Sequence, residues 1–193
     1  MKVNVGVSNR HFHATRDAID ILFGKDYELT IKNQLNQPEQ FSANEVVIIK
    51  TIKSEIKNVR ILGPIREYNQ VEISKTDAYK LGLNPPIRHS GDILNSEKVT
   101  VIGPKGSISI EGCIIPNRHI HISRKQASQL NIKEDDIVSI RVDSIKGGIL
   151  NNTYIKISDE AYFELHLDTD DANSHLLKQN DVVEILELKD EHI

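Results

Sequence analysis

The sequence predicts a mainly β protein with short helices, arranged as small barrels. Runs rich in β-branched residues, for example 45–51 and 59–62, indicate strands. A module made of a Ser or Thr cap, a short helix, a turn and a strand recurs three times, beginning at Ser74, Ser123 and Thr169. These helices are too short to cover both faces of a parallel sheet, so the pattern favours barrels over a doubly wound fold.

The individual elements follow from local signals along the chain. Residues 3–7 predict a short buried strand. Thr15 can cap a helix over residues 16–23, and Gly24 can end it. The three modules place further helices at 77–83, 125–130 and 171–177. The remaining strands are expected at residues 27–35, 45–51, 59–62, 99–102, 107–110, 136–142, 163–168 and 181–186.

Composition limits the classes of partner. The chain is 38% hydrophobic and 27% charged, so it can build a core and stay in solution. Its net charge of −4 and its lack of tryptophan argue against a nucleic-acid or anionic-membrane surface. No apolar run reaches the length of a membrane span, and the first strand follows Met1 without a signal peptide. A single cysteine, Cys113, excludes an intramolecular disulfide and predicts a cytoplasmic protein.

A short phrase, Asn-Arg-His-x-His, occurs twice in the chain. The first copy contains His11 and His13, and the second contains His119 and His121. Because residues i and i+2 of a strand point to the same face, each copy presents two imidazoles side by side. One such pair arises often by chance, but two copies within the same phrase predict metal binding.

Each histidine pair needs a further ligand. Glu72 is the best candidate for the first pair, because it lies in a predicted strand beside an irregular Gly-Pro loop; the alternative is a solvated strand carboxylate. His166 is the candidate for the second pair, and its alternative is a half-buried histidine without a metal. We interpret Cys113 as a buried, inert thiol. We treat the unpaired histidines as ordinary, namely His89, His175 and His192.

Two arginines lie in proline-flanked loops, where a guanidinium group can meet an oxyanion. Arg66 follows Gly63-Pro64, and Arg88 shares its loop with Ser90 and Gly91. Arg10 and Arg118 instead favour structural ion pairs. Taken together, the residues indicate two metals and an anionic substrate, and they support acyl and phosphoryl chemistry equally.

Several motifs occur together and in order over nearly the whole chain. By these motifs the chain resembles the phosphate propanoyltransferases, the phosphotransacylase family found with bacterial microcompartments. The motifs are Ser8-Asn9-Arg10-His11-x-His13, Gly63-Pro64-x-Arg66, Gln70-Val71-Glu72-Ile73-Ser74, Arg88-x-Ser90-Gly91-Asp92, Arg118-His119-x-His121 and His166-x-Asp168-Thr169-Asp170.

The resemblance implies that acyl-CoA and phosphate are interconverted with acyl phosphate and CoA, by direct transfer at two zinc ions per chain. One zinc would be held by His11, His13 and Glu72, and the other by His119, His121 and His166. Arg66 and Ser90 match catalytic residues near the phosphate. With Gln70 and Arg88, they form the expected substrate-binding set. The general base and the preferred acyl group, propanoyl or acetyl, stay unassigned.

The resemblance also implies two β-barrel domains that exchange segments, and a homodimer. We place the first domain at residues 1–9 and 117–187 and the second at 10–116, with a loose tail at 188–193. Only Met1 and Lys2 precede the first strand, so we expect a cytosolic enzyme that is not associated with a microcompartment shell.

Two other classes of function stay open. One is a dinuclear zinc hydrolase of a phosphate ester or thioester, which would turn over without phosphate as a cosubstrate. The other is a non-catalytic zinc-dependent assembly protein, whose metals would need four protein ligands each. Only six candidate ligands are evident in the sequence, and this number favours open catalytic sites.

Overall fold

A computed structural model describes residues 1–186 of the chain. Its helices are α1 (Arg16–Phe23), α2 (Lys75–Leu81), α3 (Arg124–Leu130) and α4 (Thr169–Ser174). Its strands are β1 (Lys2–Ser8), β2 (His11–His13), β3 (Ile31–Gln34), β4 (Phe41–Lys50), β5 (Glu55–Gly63), β6 (Gln70–Glu72), β7 (Ile87–Arg88), β8 (Glu97–Ile102), β9 (Ser107–Pro116), β10 (His119–Ser123), β11 (Ile137–Val142), β12 (Gly148–Ser158), β13 (Glu164–Asp168) and β14 (Val182–Ile185). The predicted fold class, mainly β with short helices and two barrels, is confirmed.

The chain divides into two compact units. Residues 1–8 join the chain from residue 117 onward in the first unit, and residues 9–116 form the second. The predicted tail at 188–193 lies outside the described residues, and the limits of independently folding domains stay a prediction.

The first unit is a closed six-stranded barrel with the strand order β1-β13-β10-β12-β11-β14. Its N-terminal strand β1 runs parallel to β13 and antiparallel to β14. Apolar residues of the strands fill the barrel, with Val5, Ile120, Ile140 and Leu165 fully buried. Burial of apolar surface, the main favourable term in folding, therefore holds the N-terminal strand β1 against the later strands of this barrel.

The second unit closes in a similar way. Its strands follow the order β3-β4-β5-β2-β6-β9-β7, and β8 pairs with both β4 and β9, so six of them form a ring. The core of this unit includes Phe12, Ile19, Leu22, Ile61 and Leu81, all fully buried.

Each of the four helices within residues 1–186 begins at a side chain that accepts a backbone N–H. Thr15, Ser74 and Ser123 cap α1, α2 and α3 as predicted. The predicted cap of the last helix is wrong, because Asp168 rather than Thr169 accepts the N–H of Asp171. The caps Ser74 and Asp168 thus come two positions after the candidate metal ligands Glu72 and His166. Each cap therefore fixes where the strand that carries the ligand ends and the helix begins.

Candidate metal centres

The second unit brings His11, His13 and Glu72 together. His11 and His13 lie on one face of β2, and antiparallel pairing sets Glu72 of β6 opposite His11. The two Nε2 atoms are 3.2 Å apart. Glu72 Oε2 lies 3.4 Å from His11 Nε2, and Glu72 Oε1 lies 3.8 Å from His13 Nε2. All three side chains are buried, so Glu72 is not a solvated strand carboxylate.

The first unit brings His119, His121 and His166 together in the same register. Antiparallel pairing sets His166 of β13 opposite His119 of β10. The Nε2 atoms of His119 and His121 are 3.2 Å apart. The His166 ring centroid lies 5.1 Å from that of His119 and 4.6 Å from that of His121. One potential ligand atom from each member of the triad lies within 4.8 Å of the others.

The donor atoms of both triads fit a zinc ion. Tetrahedral zinc with bonds of about 2.0–2.1 Å to nitrogen places its ligand atoms about 3.3 Å apart. The 3.2 Å separations within the two His-x-His pairs and the 3.4 Å from His11 Nε2 to Glu72 Oε2 agree with that value, and the 3.8 Å from His13 Nε2 to Glu72 Oε1 is longer. Burial, and then the neighbouring His11, lowers the pKa of His13 to about 3. Burial, followed by His119 and His166, also lowers the pKa of His121. Neutral rings of this kind keep a lone pair for a metal.

Backbone carbonyl groups orient the first ligand of each triad. Nδ1 of His11 lies 2.8 Å from the Asn9 carbonyl oxygen, and Nδ1 of His119 lies 2.8 Å from that of Asn117. Because a carbonyl oxygen can only accept, each Nδ1 must donate, and the Nε2 lone pair faces the triad. The Asn-Arg-His phrase thus supplies a ligand and the group that sets its tautomer.

The arginines of the repeated phrase form ion pairs, as predicted. Arg10 Nε lies 2.7 Å from Asp77 Oδ2, and Arg118 Nε lies 2.7 Å from Asp171 Oδ2. Both acidic partners are three residues after a helix cap, so each arginine ties a ligand strand to the helix that follows the third ligand.

Two residues next to the triads were missed as partners of the ligands. Gln70 Nε2 donates to Glu72 Oε1 at 2.6 Å, and His166 Nε2 lies 2.9 Å from Glu164 Oε2. Each partner sits two positions before the third ligand, on the same strand face. The spacing is visible in the sequence, but its meaning depends on the cross-strand register that assembles the triad.

Arg66 follows a cis Gly63-Pro64 peptide bond and is held by its backbone N–H, which donates to the Ala14 carbonyl oxygen at 2.8 Å. Its side chain is half-buried, and its Nε has no hydrogen-bond partner among the described residues. Arg66 borders an open cavity of about 550 Å³ within the second unit, and its charge helps to lower the pKa of His13 after burial and His11. The guanidinium group therefore keeps an unused, buried Nε–H donor in a residue that borders an open cavity.

The loop at Ser90 is tied to the first triad, whereas Arg88 has partners of its own. Gln70 Nε2 donates to Ser90 Oγ at 2.8 Å, and the Gly91 N–H donates to Gln70 Oε1 at 2.7 Å. Arg88 Nη1 lies 2.7 Å from Asp92 Oδ1 and donates to the Leu94 carbonyl oxygen at 3.3 Å. Substrate binding by Arg88 stays a prediction, since an anion would compete with Asp92.

Cys113 is fully buried, and burial, with the charges of Glu97 and Asp77, raises its pKa to about 12. The thiol is therefore inert, as the sequence predicts. Among the described residues, no helix combines the length and the apolar character needed to cross a membrane.

The fold and these groups define a β-barrel protein with two three-ligand groups of the kind that hold metal ions. A family model described as phosphate propanoyltransferase matches residues 4–178. The chain is 48% identical over 186 residues to a phosphate propanoyltransferase of Lachnoclostridium phytofermentans, covering 95% of this chain and 87% of the relative. It is 45% identical over 185 residues to the enzyme of the same name from Thermotoga maritima, with coverage of 95% and 88%.

A third relative, from Priestia megaterium, is also named phosphate propanoyltransferase and is 45% identical over 180 residues, with coverage of 93% and 83%. The chain belongs to the phosphate propanoyltransferase family. It is an enzyme of the acyltransferase class.

Proposed function

We propose that the protein interconverts a short-chain acyl-CoA and phosphate with acyl phosphate and CoA by direct transfer, and that each chain holds two zinc ions. Propanoyl-CoA and acetyl-CoA are the proposed substrates. The observation that carries the proposal is the presence, in a chain of this family, of two three-ligand groups with zinc-like spacing. Three protein ligands leave a coordination position for chemistry.

The triads would each hold one ion, the first through His11, His13 and Glu72 and the second through His119, His121 and His166. Zinc in such a site stabilises a thiolate and polarises the oxygen atoms of phosphate or of a carbonyl group. The tautomers fixed by the carbonyl groups of Asn9 and Asn117 support this assignment, because they turn a lone pair towards each group.

Arg66 is the proposed phosphate-binding residue. Its Nε–H lacks an acceptor among the described residues, and a phosphate oxygen would supply one. The planar guanidinium group can hold two oxygen atoms at once and so orient a third towards the acyl carbon.

Ser90 is proposed to bind the same anion. Its Oγ already accepts from Gln70, so its own O–H is the group that can donate to a phosphate oxygen. Gln70 would act in substrate binding by holding this hydroxyl in place.

The reaction forms one bond and breaks one. A phosphate oxygen forms a C–O bond with the acyl carbon, the C–S bond breaks, and CoA leaves as a thiolate that takes up a proton. No acyl-enzyme is needed. Cys113 is unsuited as an acyl acceptor because it is buried and its pKa is raised to about 12.

The test is CoA release from propanoyl-CoA and from acetyl-CoA, with and without phosphate, alongside a direct assay for acyl phosphate. We expect release of CoA to require phosphate and to match the acyl phosphate formed. Release of CoA without phosphate would instead identify the hydrolase. A binding protein without activity would release no CoA. Arg66→Lys, assayed beside wild type, tests whether the phosphate dependence requires the Arg66 guanidinium group.

We also propose that the enzyme is a homodimer free in the cytosol. The support for this is the resemblance stated above, together with the negative net charge and the single buried cysteine. Light scattering coupled to size exclusion measures the first property, and a monomer would contradict it. A fluorescent fusion measures the second, and colocalisation with microcompartment shells would contradict it.

A further inference from the structure

The third ligand of each triad has a polar partner two positions earlier in the chain. Gln70 precedes Glu72 on β6, and Glu164 precedes His166 on β13. The two partners occupy the same register position, since Gln70 pairs with His13 and Glu164 pairs with His121. Both partners are buried, with exposed fractions of 0% for Gln70 and 3% for Glu164. A polar side chain in such a position needs a hydrogen-bonding reason to be there.

Gln70 is oriented as a donor to its ligand. Its Oε1 accepts the Gly91 N–H at 2.7 Å, and a backbone N–H can only donate. The amide NH₂ must therefore face the other way, where it donates to Glu72 Oε1 at 2.6 Å and to Ser90 Oγ at 2.8 Å. The main chain thus fixes the amide so that it meets a carboxylate.

Glu164 is an acceptor from its ligand. With Glu164 ionised, the 2.9 Å contact places a proton on His166 Nε2, because an ionised carboxylate only accepts. The ring then keeps its lone pair on Nδ1. Gly6 of the neighbouring strand β1 makes room for the pair, because a Cβ there would lie 2.8 Å from Glu164 Cδ and 2.9 Å from His166 Cδ2. Strand β1 therefore leaves a space that the pair fills.

We propose that Gln70 and Glu164 are positioning residues matched in polarity to the ligands at 72 and 166. An amide donor serves the carboxylate ligand, an acidic acceptor serves the imidazole ligand, and His166 thereby binds zinc through Nδ1. Each proposed zinc site thus uses one carboxylate. Glu72 would bind the ion directly, and Glu164 would accept a hydrogen bond from the imidazole ligand His166. This inference rests on the zinc binding proposed above.

The first test measures zinc retained against a graded chelator. Glu164→Leu removes the acceptor at similar volume, and we expect it to weaken zinc binding at the His119 triad about 10–100-fold while the other ion stays. Glu164→Gln keeps an acceptor oxygen and should lose less. Gln70→Leu is the matched control in the second unit and should weaken only the ion at Glu72. Zinc retention like that of wild type in both leucine variants would overturn the inference.

An exchange of ligands tests the matching itself and does not depend on the leucine variants folding. His166→Glu alone sets two carboxylates side by side. Adding Glu164→Gln recreates the Gln-x-Glu pair of the second unit, and we expect the double variant to hold zinc at least about 10-fold more tightly than the single one. Equal or tighter binding in the single variant would contradict the matching.

The tautomer is measured directly by long-range ¹H–¹⁵N correlation of the histidine rings. We expect the His166 ring to carry its proton on Nε2 in wild type, and to lose this preference in Glu164→Leu but not in Glu164→Gln. A proton on Nδ1 in wild type would overturn the inference. Neither phosphate nor acyl-CoA is used, so these results are separate from the activity assay. Wild-type protein without zinc would contradict the proposed zinc sites, and with them Nδ1 of His166 as a ligand, whereas the tautomer tests the pairing of Glu164 with His166 by itself.

Discussion

At the scale of single residues, Arg66 is a cation held in place by backbone and left without an acceptor at Nε among the described residues. A buried donor without a partner costs free energy in the folded state. An incoming phosphate would remove that cost while it is bound. The position is therefore suited to ligand binding more than to stability.

Arg66→Lys keeps the charge but loses the planar fork that can hold two oxygen atoms. We expect the variant to fold and to retain its zinc. Its kcat/KM for phosphate should fall about 10²–10³-fold, equivalent to about 3–4 kcal/mol of transition-state stabilisation. The KM for acyl-CoA should change little. Steady-state kinetics with phosphate varied, on protein of known zinc content, measures the effect.

Arg141→Lys is the matched control for this substitution. Arg141 lies on β11 in an exposed ion pair, with Nη1 3.3 Å from Glu184 Oε2, so the change should leave phosphate kinetics as they are. Phosphate kinetics close to wild type in Arg66→Lys would remove Arg66 from the active site.

Cys113 makes stability depend on alkaline pH. Burial raises the pKa of its thiol to about 12, whereas the unfolded chain releases the proton near pH 9. The stability that the thiol contributes is therefore fully present below about pH 9 and is lost as the pH rises towards 12. Denaturant unfolding of wild type and Cys113→Ala across this range should show a steeper loss in wild type. Parallel curves would contradict the raised pKa.

At the scale of elements, the sequence predicts helix starts well, because a cap depends on residues close together in the chain. Thr15, Ser74 and Ser123 cap helices because a hydroxyl accepts a nearby N–H, which the sequence alone reveals. The sequence predicts the last cap at Thr169, one residue late, because Asp168 falls in the predicted strand 163–168, whereas in the structure its carboxylate accepts the N–H of Asp171. A threonine hydroxyl and an aspartate carboxylate compete for such a position.

Tertiary contacts decided what the sequence could not predict. The strand expected at 27–35 is shorter, β3 (Ile31–Gln34), because Glu45 accepts from donor groups of the residues before it, although the Thr30 carbonyl oxygen still accepts the Asn44 N–H of β4 at 2.8 Å. Tyr27 donates its hydroxyl to Glu45 Oε1 at 2.9 Å, and the Thr30 N–H also donates to this carboxylate. The roles of Gln70 and Glu164 as hydrogen-bond partners of the third ligands likewise depend on the pairing of β6 with β2 and of β13 with β10, which the sequence does not reveal.

The packing of β1 against β13 provides a test at this scale. Gly6→Ala would place a Cβ 2.8 Å from Glu164 Cδ and 2.9 Å from His166 Cδ2. Both atoms belong to side chains that can shift, so we expect the variant to fold. The shift should disturb the Glu164–His166 pair and weaken zinc at that triad about 10-fold. Zinc content after equilibration with a chelator, together with circular dichroism, measures both effects.

Gly148→Ala is the control for added bulk in the same unit. The nearest atom to a Cβ at Gly148 is His175 Nε2 at 3.5 Å, an ordinary contact, so zinc retention should stay at the wild-type level. If Gly6→Ala retained zinc as well as Gly148→Ala does, the space at Gly6 would have no bearing on the metal site.

At the scale of the whole molecule, one site design is used twice. In each unit a His-x-His strand pairs with a parallel strand on one side and with the antiparallel strand that carries the third ligand on the other. In each, the arginine before the first histidine pairs with an aspartate on the helix that follows the third ligand. Because a complete set of three candidate ligands lies within each unit, we expect the two proposed sites to lose their ions separately.

Zinc stoichiometry tests this independence. We expect about two zinc ions in wild-type protein. His11→Ala removes a ligand of the second unit alone, and His119→Ala removes one of the first unit alone, so each variant should retain about one ion, and the double variant close to none. Bound metal stabilises only the folded state, so the melting temperature should fall with each ion lost. Elemental analysis and thermal unfolding measure the two quantities on the same samples.

His175→Ala is the control for these substitutions, since this histidine of the described residues belongs to neither triad, and it should retain both ions. Two outcomes would contradict the proposal. Active wild-type protein free of transition metal would exclude zinc from both triads. Loss of both ions in His11→Ala alone would show that the sites are not independent, because ligands confined to one unit would then control the ion in the other.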